Sequence, residues 1–156
     1  MPRLEPVDEE FFTAAPQRRS YALDLPVSPE RVWRGLTASN PLWWCRLATA
    51  EYASPRPFGV GTTRRATALG VLRLRESAFR WEEGRRQSFR AESANLPLFR
   101  RFGEDHLVEP AAGGCLFTWT FAWEPAERFA GRRFWAERTA QVCAALAADT
   151  RRHFSR

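Results

Sequence analysis

Lysine is absent. All 24 basic residues are arginine, set against 18 acidic residues, and the net charge is +6. An excess of this sign raises the question of a nucleic-acid partner. The arginines, however, stand in ones and twos along the whole chain, interleaved with acids, and no block of five like charges occurs. That spacing argues against nucleic acid. The missing lysine fits a coding bias of the kind seen in GC-rich bacterial genomes. Cysteine and histidine are scarce too. Cys45, Cys115 and Cys143 form no CxxC pair, and His106 and His153 lie far from them in sequence. A zinc site is therefore disfavoured, no metal or cofactor is expected, and reduced, partly buried thiols suit a cytoplasmic protein. No apolar run approaches the ~20 residues of a membrane span, so no stable insertion in a bilayer is expected. The opening MPRLEPVDEEFFTAAPQ lacks the apolar stretch of a signal peptide. Gly59 and Gly61 are not followed by the GK[ST] of a phosphate loop, and no serine sits in a G-x-S-x-G elbow.

Large rings are abundant. The chain has 12 Phe and 7 Trp among 156 residues, enough for one domain with a sizeable core. Residues 1–17 are acidic and punctuated by proline; they read as an extended lead-in, with Phe11 and Phe12 placed to pin it to a single domain over 18–156. Arg19–Leu25 alternates as a first strand. Ser28, Pro29 and Glu30 then make a helix start, with Val32, Trp33 and Leu36 as its inward stripe. PLWWC follows as a second short helix or turn. From about Leu47 to Trp123, alternating segments separated by Pro- and Gly-containing turns predict an antiparallel meander of six or seven strands counting the first. After Pro125 the period changes. Trp135, Thr139, Val142, Cys143, Leu146 and Thr150 recur at helical spacing, with Gly131 placed to loosen the first turn. The class is α+β: a curved antiparallel sheet wrapped around a long C-terminal helix, with two short helices after the first strand.

Five segments carry a resemblance: LPVSPERVWRGLT, the WW pair, SPRPFGVGTT, FRWEEGRRQSF and GGCLFTWTF. Over roughly residues 18–150 the chain resembles the START-related, or SRPBCC, superfamily, in its bacterial polyketide cyclase/dehydrase-like branch. The resemblance implies a helix-grip fold with a cavity between sheet and helix. It implies binding of a lipid, a quinone, a polyketide or a similar small hydrophobic molecule. Some members are cyclases or aromatases, and some activate a chaperone ATPase. No catalytic motif is shared across the superfamily, so no catalytic residue carries over.

Candidate site residues follow from strand parity. In CLFTWTFAW the rings of Phe117, Trp119, Phe121 and Trp123 share one face with Cys115. Plain core explains them as well as pocket wall does, since each buried ring contributes on the order of 1.5–3 kcal/mol. Phe117 and Trp119 are the preferred wall residues and Trp123 the preferred core residue. Phe121, Phe102, His106, Phe89, Glu76, Trp135, Thr139 and Val142 complete the ligand-lining set. In FGEDHLVE, Phe102, Glu104, His106 and Val108 share the likelier inner face, which puts Glu104 beside His106 as an acid–base candidate; the alternative is an inert pair. Asp105 points the other way. Glu76 shares the parity of Leu72 and Leu74, and if it faces inward it needs Arg64 or Arg65 as partner. The expected partner is a small hydrophobic ligand, the expected state a monomer or homodimer. Binding as a carrier or sensor leads, a cyclase, aromatase or dehydrase using Glu104 and His106 comes second, and a protein-interaction module third.

Overall fold

The computed structural model describes residues 1–156. Seven antiparallel strands form one sheet in the order β1-β7-β6-β5-β4-β3-β2. They are β1 (Gln17–Leu25), β2 (Ala48–Tyr52), β3 (Thr63–Ala68), β4 (Leu72–Glu82), β5 (Arg86–Ala94), β6 (Phe99–Ala111) and β7 (Gly114–Pro125). Helix α1 (Phe11–Ala14) precedes β1, α2 (Pro29–Leu36) follows it, and α3 (Arg133–Phe154) closes the chain. The α+β helix-grip expected from the alternation and the terminal change of period is the observed architecture. Ser28 caps α2 by accepting a hydrogen bond from the Arg31 amide at 3.2 Å. Residues 41–44, read as a second short helix or turn, are a turn closed by the Cys45 amide on the Leu42 carbonyl at 2.9 Å. Leu42 there has a φ of 61°, which stops a helix from propagating.

The sheet has two unequal faces. Its inner face and α2 and α3 enclose the main core, including Leu23, Val32, Phe117, Trp119, Phe121 and Trp123. On the outer face Val7, Phe11, Phe12 and Ala122 form a second, small core, and Phe12 stacks on Phe79 at 6.0 Å. The lead-in is therefore an integral layer, and it lies on the face away from α3.

Its first residues do more. β5 and β6 pair only between Arg86–Arg90 and Gly103–Leu107. Beyond that they part, and residues 2–5 fill the gap. The Leu4 amide donates to Glu92, the Glu5 amide to Arg100, and the Ala94 amide to Pro2, at 2.9, 2.9 and 3.0 Å. Backbone groups left by the divergence are thereby satisfied.

Helix α3 is gripped unevenly. Its second half is tied to the segment after α2: Trp44 Nε1 donates to Thr150 at 2.9 Å, the Arg46 amide to buried Asp149 at 2.9 Å, and Trp44 stacks on His153 at 4.6 Å. Its first half carries no buried residue before Cys143. The helix begins two residues after Gly131, whose φ of 74° turns the chain out of the 127–129 helical turn.

Candidate functional site

β3, β4 and β5 each send one polar side chain into the aromatic interior, and β6 sends two. Arg64, Glu76, Gln87, Glu104 and His106 are all buried there. Arg64 Nε donates to Glu76 at 3.0 Å, and Arg64 Nη2 donates to Glu104 at 2.6 Å. The same Glu104 oxygen lies 2.9 Å from His106 Nε2, and Gln87 meets His106 Nδ1 at 2.8 Å. The guanidinium stacks 3.7 Å over the Phe89 ring, a favourable place for a desolvated cation. Trp119 meets His106 edge-on at 5.2 Å and stacks on Phe121 at 4.8 Å.

One guanidinium faces two carboxylates, and the environment splits them. Burial raises the Glu76 pKa, and the charge of Glu104 adds to this against the pull of Arg64. Burial opposes ionisation of Glu104 as well, but Arg64 and His106 outweigh it and hold its pKa below the usual carboxylate range. Burial lowers the His106 pKa in spite of Glu104. The shifts run in opposite senses: Glu104 is held as the ionised partner of Arg64, while burial favours the neutral forms of Glu76 and His106. Both ring nitrogens of His106 face acceptors, Nε2 the Glu104 carboxylate and Nδ1 the Gln87 side-chain oxygen, while the Gln87 amide nitrogen donates to the Tyr52 hydroxyl at 3.4 Å.

Four buried polar atoms have no partner: Arg64 Nη1, Glu76 Oε2 and Trp119 Nε1 in this interior, and Arg101 Nε, whose guanidinium lies over the Phe11 ring. Nη1 and Nε1 are donors, and Oε2 is a carboxyl oxygen. Unsatisfied buried groups of this kind are costly, so three in one interior call for a physical account.

The sequence-derived candidates divide into groups. Glu76, Phe89, Glu104, His106, Phe117, Trp119 and Phe121 lie in the main interior, all fully or almost fully buried. Trp123 is buried as completely as Phe117 and Trp119, so exposure does not separate wall from core. Phe102 lies beside Phe99, 5.1 Å between ring centres, towards the start of β6. Trp135 and Thr139 line a different place: a crevice of about 30 Å³ shared with Leu98, Phe99, Trp123 and Phe129. Val142 is half-buried against the edge of the core. Asp105 is on the outer face, gripped by Arg86 at 2.9 Å and by Ser88 at 2.6 Å. Gln87 was missed as a site residue; its parity with Phe89 and Ala91 was the available signal. No group of three or more His, Cys, Asp or Glu side chains comes together to hold a metal ion.

The arginines are less dispersed than their sequence spacing suggests. Arg65, Arg73 and Arg75 line a groove of about 1040 Å³, which adjoins a second groove lined by Arg3, Arg75 and Arg90. Sequence parity does not bring them together; strand register does, by setting Arg65 directly opposite Arg75. The larger groove has no aromatic side chain among its lining residues.

With this geometry in place, comparison with known proteins is decisive about kinship. The family model described as "Polyketide cyclase / dehydrase and lipid transport" matches residues 6–154. The chain belongs to this family. Rv2574 of Mycobacterium tuberculosis is 34% identical over 122 residues, covering 76% of this chain and 72% of the relative. Among solved structures, a START superfamily protein from Mycobacterium smegmatis aligns with a TM-score of 0.73 at 10% identity, over 88% of this chain and 96% of the other. The protein XoxI from Bacillus cereus aligns with a TM-score of 0.66 at 13% identity, over 88% and 95%. At such identities these two structures establish a shared fold.

Proposed function

We propose that this polyketide cyclase/dehydrase and lipid transport family member is a carrier or sensor for a small, largely apolar molecule that bears oxygen acceptors. Its polar end sits at Arg64, Glu76 and Trp119, and its apolar body lies among the rings of β5 and β7. The observation that carries this reading is the set of three unpartnered buried polar atoms, the donors Arg64 Nη1 and Trp119 Nε1 with Glu76 Oε2, in an otherwise aromatic interior. A ketone, quinone, ester or carboxylate oxygen is the chemistry that would satisfy them. Access requires the first half of α3 to swing aside, and that half contributes no fully buried side chain before Cys143. In this reading the protein works in the cytoplasm as a monomer or homodimer, and the ring-free arginine groove offers no stacking platform for nucleic-acid bases.

The test is native mass spectrometry on gently purified protein, followed by displacement of fluorescent quinones, fatty acids and flat aromatics. A bound mass, and affinity that falls at least about tenfold in Arg64→Met for ketone- and carboxylate-bearing ligands, is expected. No bound mass and no displacement by any member of the panel would sink the reading.

A cyclase or dehydrase is the second reading, favoured by the Glu104–His106 contact of 2.9 Å inside the fold. It ranks below binding because Arg64 holds Glu104 in its ionised, weakly basic form, and both ring nitrogens of His106 already have partners.

A further inference from the structure

The segment ERFAGRRFWAER, residues 127–138, stands out from the rest of the surface. Phe134 is 58% and Trp135 40% exposed. They sit side by side in the first turn of α3, with Phe129 5.0 Å from Trp135. Arg128, Arg132, Arg133 and Arg138 surround them in sequence, and Arg138 lies 5.3 Å over the Phe134 ring. Arg19 joins Arg132 and Arg133 along an adjoining shallow groove, where Glu137 is the one acid against three cations. The ion pairs of the molecule all lie elsewhere, so these five cations have no salt-bridge partner. The first turn of α3 also contains no acidic residue. Positive side chains at the positive end of a helix repel its dipole, so the arrangement is unfavourable until an anion meets it.

We infer that this end of α3 docks the protein on an anionic lipid bilayer, with Phe134 and Trp135 in the interfacial layer and the arginines against lipid phosphates. Trp and Phe beside arginine are the side chains that partition to the bilayer interface. Two rings protruding at a helix end suit a fluid surface better than a fixed protein groove, which would call for a far larger complementary patch. The docking goes beyond the ligand reading and does not depend on it, because an unfilled interior leaves the same surface exposed.

Co-sedimentation of the full chain with vesicles tests it. The protein is expected to bind phosphatidylcholine/phosphatidylglycerol vesicles at low salt, to ignore pure phosphatidylcholine, and to release as salt rises. Arg132→Gln/Arg133→Gln and Phe134→Ser/Trp135→Ser are each expected to lower partitioning by about tenfold or more. Arg73→Gln/Arg75→Gln, on the outer sheet face, is expected to bind like the parent; thermal melts confirm that each variant folds. Failure of the parent to bind anionic vesicles overturns the inference. So does parental binding by Phe134→Ser/Trp135→Ser, or loss of binding in Arg73→Gln/Arg75→Gln. Ligand displacement in vesicle-free solution reports on the interior separately.

Discussion

Glu76 is the residue whose chemistry is easiest to expose. Its folded pKa is raised, first by burial, so the folded state holds a proton that the unfolded state releases near pH 4.5. Its contribution is fully present below that value and is lost as pH rises through the higher folded one. His106 runs the other way: its pKa is lowered by burial, so stability is lost as pH falls below about 6.5, where an unfolded histidine begins to take up its proton. Glu76→Gln keeps the shape and removes the first effect. Chemical denaturation of parent and variant from pH 5 to 8 is expected to show the variant gaining on the parent as pH rises. Curves that stay parallel would show that Glu76 is already ionised in the fold. The thiols offer a second check. Burial pushes Cys45 up to about 12 and raises Cys115 and Cys143. A thiol reagent at neutral pH is expected to label none of them until denaturant unfolds the chain. Rapid labelling of one thiol in the native protein would contradict the packing around it.

At the scale of elements, the contact between the lead-in and β6 turns on one glycine. A Cβ on Gly103 would lie 2.9 Å from Val7 Cγ1 and 3.2 Å from the Phe89 carbonyl oxygen. Gly103→Ala is expected to cost about 1–3 kcal/mol by overpacking, and to cost less in a Val7→Ala background, because the nearest atom is then gone. Equal costs in both backgrounds would mean that the strand backbone, rather than the lead-in, meets the added methyl. The element order was legible in the sequence because alternation, Pro and Gly punctuation and the final change to helical spacing are local signals. The shared face of Glu104 and His106, and that of Glu76 with Leu72 and Leu74, was legible for the same reason: two-residue parity is local; the choice of Arg64 over Arg65 as the Glu76 partner was not, because it follows from register. Three further features were not. The use of residues 2–5 to bridge β5 and β6 has no local signature, since it depends on those strands diverging. The start of α3 after Gly131, rather than at Pro125, depends on a positive φ that the sequence permits but does not require. The gathering of Arg65, Arg73, Arg75, Arg90 and Arg3 follows from register, which strand periodicity alone leaves free.

For the molecule as a whole, the sheet order sets what must happen in time. β1 pairs along its entire length with β7, and the hydroxyls of Ser20 and Thr120 meet at 2.9 Å across that seam. The partners are about a hundred positions apart in the chain. The inner strands can zip by short hairpins, but the seam between first and last strands must await a large loop closure, whose entropy opposes it until the hairpins are in place. A nascent chain therefore carries β1 as an unpaired edge until residues 114–125 have been made. Leu23, buried on β1, reports on the timing. Leu23→Ala is expected to destabilise by about 2–5 kcal/mol, with stopped-flow measurements placing most of the change in a faster unfolding rate and little in refolding. A refolding rate that drops by the full amount would place the seam among the first contacts made.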